Sequence, residues 1–167
     1  HPDLLTFNTS GLQTLEVSIS NVNGMTNDFN SGNDSLSFQI EAVDYATLGN
    51  REYIYYHASS ALPNCPLVLV CHGYSGTAQG IMDYSQFNAL AEEFGFAVCY
   101  PQGTLDGSNT TFFNVGYDFQ NNQTVDDVAF VEELIDSLQA MHSLSEQDVF
   151  CTGMSNGGDF SYMLACQ

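Results

Sequence analysis

The chain has 167 residues, 44% of them hydrophobic and 13% aromatic, which is long and apolar enough for a buried core and excludes a disordered or low-complexity segment. One basic residue, Arg51, stands against 20 acidic ones, and a formal charge of −19 repels phosphate backbones and anionic lipid, which argues against nucleic acid and membrane surfaces as partners. No apolar run is long enough for a membrane span.

Leu15, Val17 and Ile19 alternate with Glu16, Ser18 and Ser20, the period of a half-buried strand. Residues 21–34 are loop by composition. Leu36, Phe38, Ile40 and Ala42 alternate in the same way. Leu48-Gly49-Asn50 reads as a turn into an aromatic-rich strand, Arg51 to His57, so a hairpin is expected.

From Leu67 the pattern changes. Leu67 to Cys71 is continuously apolar, as in a strand covered on both faces. Phe87, Leu90, Ala91 and Phe94 then fall on one helical stripe, closed by Gly95. Phe96 to Tyr100 predicts a second buried strand, ended by Pro101. Residues 102–123 are polar and rich in Gly and Asn, and predict a long surface loop, of a length that is often functional or carries short elements of its own. Thr124 to Asp127 has the spacing of a capping box. It precedes a helix whose stripe is Val128, Val131, Leu134, Ile135, Leu138 and Met141. Val149 to Thr152 predicts a strand, and a helix follows from about Asn156.

Strands alternating with helices imply right-handed crossovers and an α/β fold with a mostly parallel sheet, the first strands forming its antiparallel edge. No linker divides the chain. Residues 1–50 are expected to be a β extension with edge strands, and 51–167 the N-terminal part of the main body of the same domain.

Gly153-Met154-Ser155-Asn156-Gly157 matches G-x-S-x-G between a predicted strand and a predicted helix. A serine on so sharp a turn needs small neighbours, because its backbone is strained and its Oγ must stand clear of the helix. The helix N-terminus then faces developing negative charge. Ser155 is the expected nucleophile. His72-Gly73-Tyr74-Ser75-Gly76 directly follows the first buried strand. The position after His-Gly supplies one backbone N–H of an oxyanion hole and the residue after the nucleophile the other. The expected donors are therefore Tyr74 and Asn156, with Ser75 as a substitute for Tyr74. The Tyr74 ring is also placed to meet an apolar or aromatic substrate group. His72 is expected to fix this loop rather than act as a base.

In order and spacing, LVLVCHGYSGTA, FAVCYPQGT, TVDDVAFVEELIDSL and VFCTGMSNGG resemble the α/β-hydrolase esterases grouped with polyhydroxybutyrate depolymerases and feruloyl esterases. The resemblance runs from about Arg51 to Cys166. It implies a secreted serine esterase acting on a polyester or on feruloyl or acetyl plant-wall esters, through an acyl-enzyme and with no cofactor or metal. Asp126-Asp127-Val128 matches a stretch of the family read here as cap and packing. In this fold the triad Asp and His come after the nucleophile helix. They are expected on a C-terminal segment or fragment of roughly 100 residues by usual domain size.

Five cysteines, an odd number, leave at least one without a partner in the chain, and none has zinc-site spacing. Cys71 and Cys151 come close if their strands are neighbours, and Cys166 is a candidate disulfide partner for the C-terminal part. Sequons at Asn8, Asn33, Asn109 and Asn122 agree with secretion. Two other readings stand beside the esterase. One is a non-catalytic binding protein that keeps the fold without a triad. The other is a copper site at His1, which would need an all-β scaffold.

Overall fold

A computed structural model describes residues 10–18, 35–120 and 123–166. Ile19, the 21–34 loop, the Asn8, Asn33 and Asn122 sequons and His1 lie outside the described residues. In chain order the structure has β1 (Gly11–Ser18), β2 (Ser35–Ala42), β3 (Asp44–Leu48), β4 (Arg51–His57), β5 (Leu67–Cys71), α1 (Ala78–Ser85), α2 (Phe87–Phe94) and β6 (Ala97–Pro101). Then come β7 (Thr104–Leu105), β8 (Thr111–Phe112), a 3-10 turn (Asp118–Gln120), α3 (Asp127–His142), β9 (Val149–Gly153) and α4 (Asn156–Leu164).

The main sheet has the order β3-β4-β6-β5-β9. β5 lies parallel to both β6 and β9, with Leu69 opposite Cys99 on one side and Cys151 on the other. β3 and β4 form the antiparallel edge. Burial on both faces is why β5 carries no polar residue. Leu67, Leu69 and Cys71 pack with Val131, Leu134 and Leu138 of α3 and Phe160 of α4. Val70, on the other face, packs with Ile81 and Met82 of α1 and Ala91 of α2. Each Val, Leu, Ile, Phe and Met among them contributes about 1.5–3 kcal/mol by burial, and the two layers hold the ends of β5 and β9 rigidly. Among the described residues no helix is long and apolar enough to cross a membrane.

Of the strands expected at the antiparallel edge only β4 lies there, paired with β3, a strand the sequence reading does not contain, because β1 and β2 pair with each other in a separate sheet. Polar residues at every second position suit a ribbon open to water, and Leu12 and Phe38 remain exposed on it. The ribbon docks where the His57 N–H donates to Ser10 Oγ at 2.9 Å.

Three further details depart from the sequence expectation. α1 has no counterpart in the sequence pattern: it is two turns long, capped by Thr77 and buried only through Ala78, Ile81 and Met82, too few positions for a stripe. α3 begins at Asp127 under an Asp126 cap that accepts from Ala129 N at 2.9 Å, so Thr124 does not open a capping box. Residues 102–123 are only partly surface. Their polar composition hides Phe112 and Phe113, both fully buried. Asn109 sits exposed in a turn of this segment, with its N–H donating to Asp106 O.

Candidate active site

Ser155 occupies the corner between β9 and α4 with φ 52° and ψ −119°. A positive φ at a residue with a Cβ costs on the order of 1–3 kcal/mol and persists only where its surroundings enforce it. Here they do. The Met154 N–H donates to Cys71 O at 3.1 Å, and the Gly157 N–H closes the turn onto Met154 O at 2.9 Å. A Cβ on Gly153 would overlap the Gly157 backbone, and one on Gly157 would overlap the carbonyls of Cys71 and His72. The glycines of the motif therefore let the corner sit against the end of β5, backbone on backbone. The Ser155 side chain is exposed and makes no capping bond to its own helix, so Oγ stands free.

The loop after β5 lies against this corner. A Cβ on Gly73 would be 3.5 Å from Ser155 Cβ and 3.2 Å from Met154 O. Ser75, at φ 65°, donates its N–H to Thr111 O at 2.8 Å, and Thr111 Oγ1 donates to Gly76 O at 2.6 Å. The Ser75 N–H is thus occupied. Among the described residues neither the Tyr74 N–H nor the Asn156 N–H has an acceptor. Two unpaired donors on either side of an exposed serine, one at a helix N-terminus, are what an oxyanion requires.

His72 is buried and holds the loop from beneath. The Gly103 N–H donates to its Nε2 at 2.9 Å, which puts the proton on Nδ1, 2.7 Å from Gly73 O. Burial holds its pKa below the ordinary histidine value, against opposing contributions from the Gly73 bond and Asp127. Both ring nitrogens are engaged, so His72 has no lone pair for Ser155. Gln102 extends the network: its Oε1 accepts from Ala78 N at 2.9 Å and fixes the start of α1.

The Asn156 side chain has a role the motif did not reveal. It is buried, its Oδ1 accepts from Phe113 N at 2.8 Å, and its Nδ2 donates to Phe113 O at 2.9 Å. The Phe113 ring stacks on Phe160 at 4.7 Å and meets His72 at 4.7 Å. One residue thereby joins the Ser155 corner, the β8 segment and the His72 loop. The Arg51–Asp127 pair braces the same segment. Its charges meet at 2.6 Å, Asp127 accepts from Asn114 N at 2.6 Å, and the guanidinium covers the Phe130 ring at 4.1 Å. The single cation of the chain is therefore structural, and it is not an anion ligand at Ser155.

The two other described histidines lie at the opposite end of the sheet. His57 faces the first residue of β6, and its Nδ1 is 2.8 Å from the Tyr55 hydroxyl. His142 ends α3 and stacks on Tyr55 at 4.2 Å. Among the described residues no group of His, Cys, Asp and Glu is arranged to hold a metal. Cys71 and Cys151 lie 3.9 Å apart as free thiols. The hydrogen bond to Cys151 and its own burial keep the Cys71 thiol protonated, well above its ordinary range. Cys166 is exposed and free.

Residues 51–167 match the family described as "Esterase PHB depolymerase". A bifunctional acetylxylan esterase/xylanase, XynS20E of Neocallimastix patriciarum, is 30% identical over 112 residues, covering 67% of this chain and 15% of that protein. Poly(3-hydroxyalkanoate) depolymerase C of Paucimonas lemoignei is 26% identical over 126 residues, 75% of this chain and 30% of that protein. The chain thus spans about a third or less of the curated relatives it matches. Among solved structures, an S-formylglutathione hydrolase from Agrobacterium tumefaciens superposes with a TM-score of 0.58 at 16% identity, over 74% of this chain and 51% of that one. An acetyl xylan esterase from Aspergillus awamori gives 0.51 at 18%, over 70% and 43%. These likenesses show the fold, that of the α/β-hydrolases.

Proposed function

The chain belongs to the esterase PHB depolymerase family, and from that premise we propose that it carries the nucleophile and oxyanion hole of a secreted serine esterase. The observation that supports this reading most is the strained, exposed Ser155 between two N–H groups that have no other acceptor. Such strain has little structural use and agrees with a nucleophile elbow.

In the proposed reaction Ser155 Oγ attacks the ester carbonyl carbon as a histidine base takes its proton. The carbonyl oxygen becomes an oxyanion, held by the N–H groups of Tyr74 and Asn156 and by the N-terminal dipole of α4. The carbon–oxygen bond to the alcohol breaks, the histidine returns the proton to the alcohol, and water then cleaves the acyl-enzyme. His57, His72 and His142 are engaged elsewhere. The base, and the carboxylate that orients it, are assigned to the part of the family's length that this chain does not span. No cofactor enters these steps. Residues 51–167 would form the N-terminal part of the catalytic domain, and the preceding β structure an extension of it. Relatives named for acetylxylan and poly(3-hydroxyalkanoate) favour a polymeric ester. A polymer too large to enter a cell favours secretion.

The test compares hydrolysis of p-nitrophenyl acetate by the native protein and by Ser155→Ala. A fall of about 10⁴-fold or more in kcat is expected. Equal turnover by the two would remove Ser155 from the mechanism and leave the non-catalytic binding reading.

A further inference from the structure

The thiols of Cys71 and Cys151 take no part in the steps above, yet they lie at the corner that holds Ser155. Cys71 ends β5 and faces Gly153 across the ladder, while Cys151 faces Leu69, two residues earlier in β5. Both thiols are free, with their sulfurs 3.9 Å apart on the sheet face that α3 and α4 cover. Hydrogen bonds link them to α4. The Ser161 hydroxyl donates to Gly157 O at 2.7 Å, so Cys151 Sγ, 3.3 Å away, donates to Ser161 Oγ, and Cys71 Sγ donates to Cys151 Sγ. The bond from Cys71 holds the Cys151 thiol below its ordinary range, against burial. Cys151 is thus the thiol that ionises first, while Cys71 stays protonated beside it.

Access and leverage go with this pairing. Cys151 is only half-buried, and a cavity of about 210 Å3, lined by Glu132, Ile135, Ser161 and Leu164 among others, reaches it. That is room for a small polar molecule beside one sulfur, with the second sulfur in contact behind it. Ionisation and access are what separate a reactive cysteine from an inert core one. Cys71 O accepts from Met154 N and is the surface against which Gly153 and Gly157 close. The loop that carries the Tyr74 N–H starts directly after it. A disulfide brings two sulfurs to about 2.05 Å. The partners are offset by two residues along their strands, so closing the bond draws the end of β5 diagonally toward Cys151 and shifts the carbonyl on which the Ser155 corner rests.

We propose that Cys71 and Cys151 form an oxidation site for a hydroperoxide, closing to a disulfide that distorts the Ser155 corner and slows the esterase until a thiol reductant reopens it. The Cys151 thiolate attacks one peroxide oxygen, the O–O bond breaks, and the leaving oxygen takes up the proton that Cys151 released. The Cys71 sulfur then attacks the sulfenic sulfur of Cys151, the S–O bond breaks, and the hydroxyl leaves with the Cys71 proton as water. The two thiols give up two electrons, and with hydrogen peroxide two waters form. The effect on turnover rests on the esterase reading. The bond, and its distortion of the corner, do not.

The test reduces the native protein with dithiothreitol, removes the reductant, adds hydrogen peroxide, and maps disulfides by mass spectrometry on unreduced peptides. Turnover of p-nitrophenyl acetate and hydrogen exchange at the Met154 and Gly157 amides are followed in parallel. A Cys71–Cys151 linkage is expected, with kcat lower by about tenfold or more, faster exchange at both amides, and recovery of all three on adding dithiothreitol. Cys151→Ser and Cys151→Ala are expected to match the reduced protein in kcat and to be insensitive to peroxide. The proposal is overturned if folded protein forms no such bond, if either cysteine bonds to a different one, or if the bond forms with kcat and exchange unchanged. A loss that dithiothreitol does not reverse and that Cys151→Ala shares would also overturn it, and would assign the peroxide to exposed Met154. Reduced protein that forms the bond and loosens the corner, yet neither cleaves ester nor takes a fluorophosphonate at Ser155, upholds the oxidation site and sinks the hydrolase alone.

Discussion

Asn156 offers a quantitative test of how the site is assembled. Its side chain makes two hydrogen bonds to the backbone of fully buried Phe113. Asn156→Ala leaves the N–H and C=O of Phe113 without partners, and each orphaned buried group costs about 1–3 kcal/mol. The expected loss is about 2–5 kcal/mol, with some relief if water enters. Asn156→Asp separates hydrogen bonding from packing. It still accepts from Phe113 N, but its other oxygen then faces Phe113 O. Only the protonated acid can donate there, so burial and this bond raise its folded pKa above the unfolded value. A raised carboxyl pKa gives stability that is full below about pH 4 and is lost as pH rises through the folded pKa. Asn156→Asp should therefore approach the native stability in mild acid and fall away from it at neutral pH. Asn156→Ala should show the same deficit at both. Urea unfolding followed by far-UV circular dichroism at pH 4.5 and 7.5 reads both variants. A deficit under about 0.5 kcal/mol for Asn156→Ala, or a pH-independent Asn156→Asp, would refute the clasp as the bond between elbow and β8 segment.

Three further outcomes follow from the same geometry. Ser155→Gly should abolish turnover yet raise stability by about 1 kcal/mol, since glycine adopts φ 52° without strain, and a lower melting temperature would contradict the assignment of strain. Arg51→Ala should cost about 3–5 kcal/mol in denaturant unfolding, because it strands the fully buried Asp127 carboxylate, whereas Arg51→Met with Asp127→Leu should recover much of it. Burial lowers the pKa of His57, His72 and His142, with the His57 and His142 rings 6.3 Å apart beside Tyr55. The folded state therefore binds fewer protons than the unfolded one, so this stability is present above about pH 6.5 and is lost as pH falls toward the lowered values. A midpoint that rises on acidification from pH 7 to 5.5 would contradict that sign.

Much of the fold is legible wherever local period decides structure. The unbroken apolar run of β5, the stripe of α3 and the Gly95 stop of α2 each report a face that must be buried. The strained corner at Ser155 is legible because its constraint is local: two glycines and a serine at fixed offsets between strand and helix. Even the Cys71–Cys151 approach follows from neighbouring strands. Long-range partners are what the pattern hides. Nothing in residues 102–123 shows that Phe113 is the residue Asn156 holds, and nothing near Thr124 shows that Arg51, far upstream, pairs with Asp127 in the core while the helix cap falls on Asp126. The β1–β2 ribbon has the same alternation as an edge strand, and period alone does not say which sheet it joins.

The central claim is that Ser155 is an activated nucleophile. The most direct measurement is to treat native protein with a fluorophosphonate and map the modified peptide by mass spectrometry. The account predicts one phosphonyl group on Ser155, within the peptide that spans Gly153 to Gly157, and none on heat-denatured protein. Folded protein that stays unlabelled at Ser155, or is labelled at another serine, would contradict it.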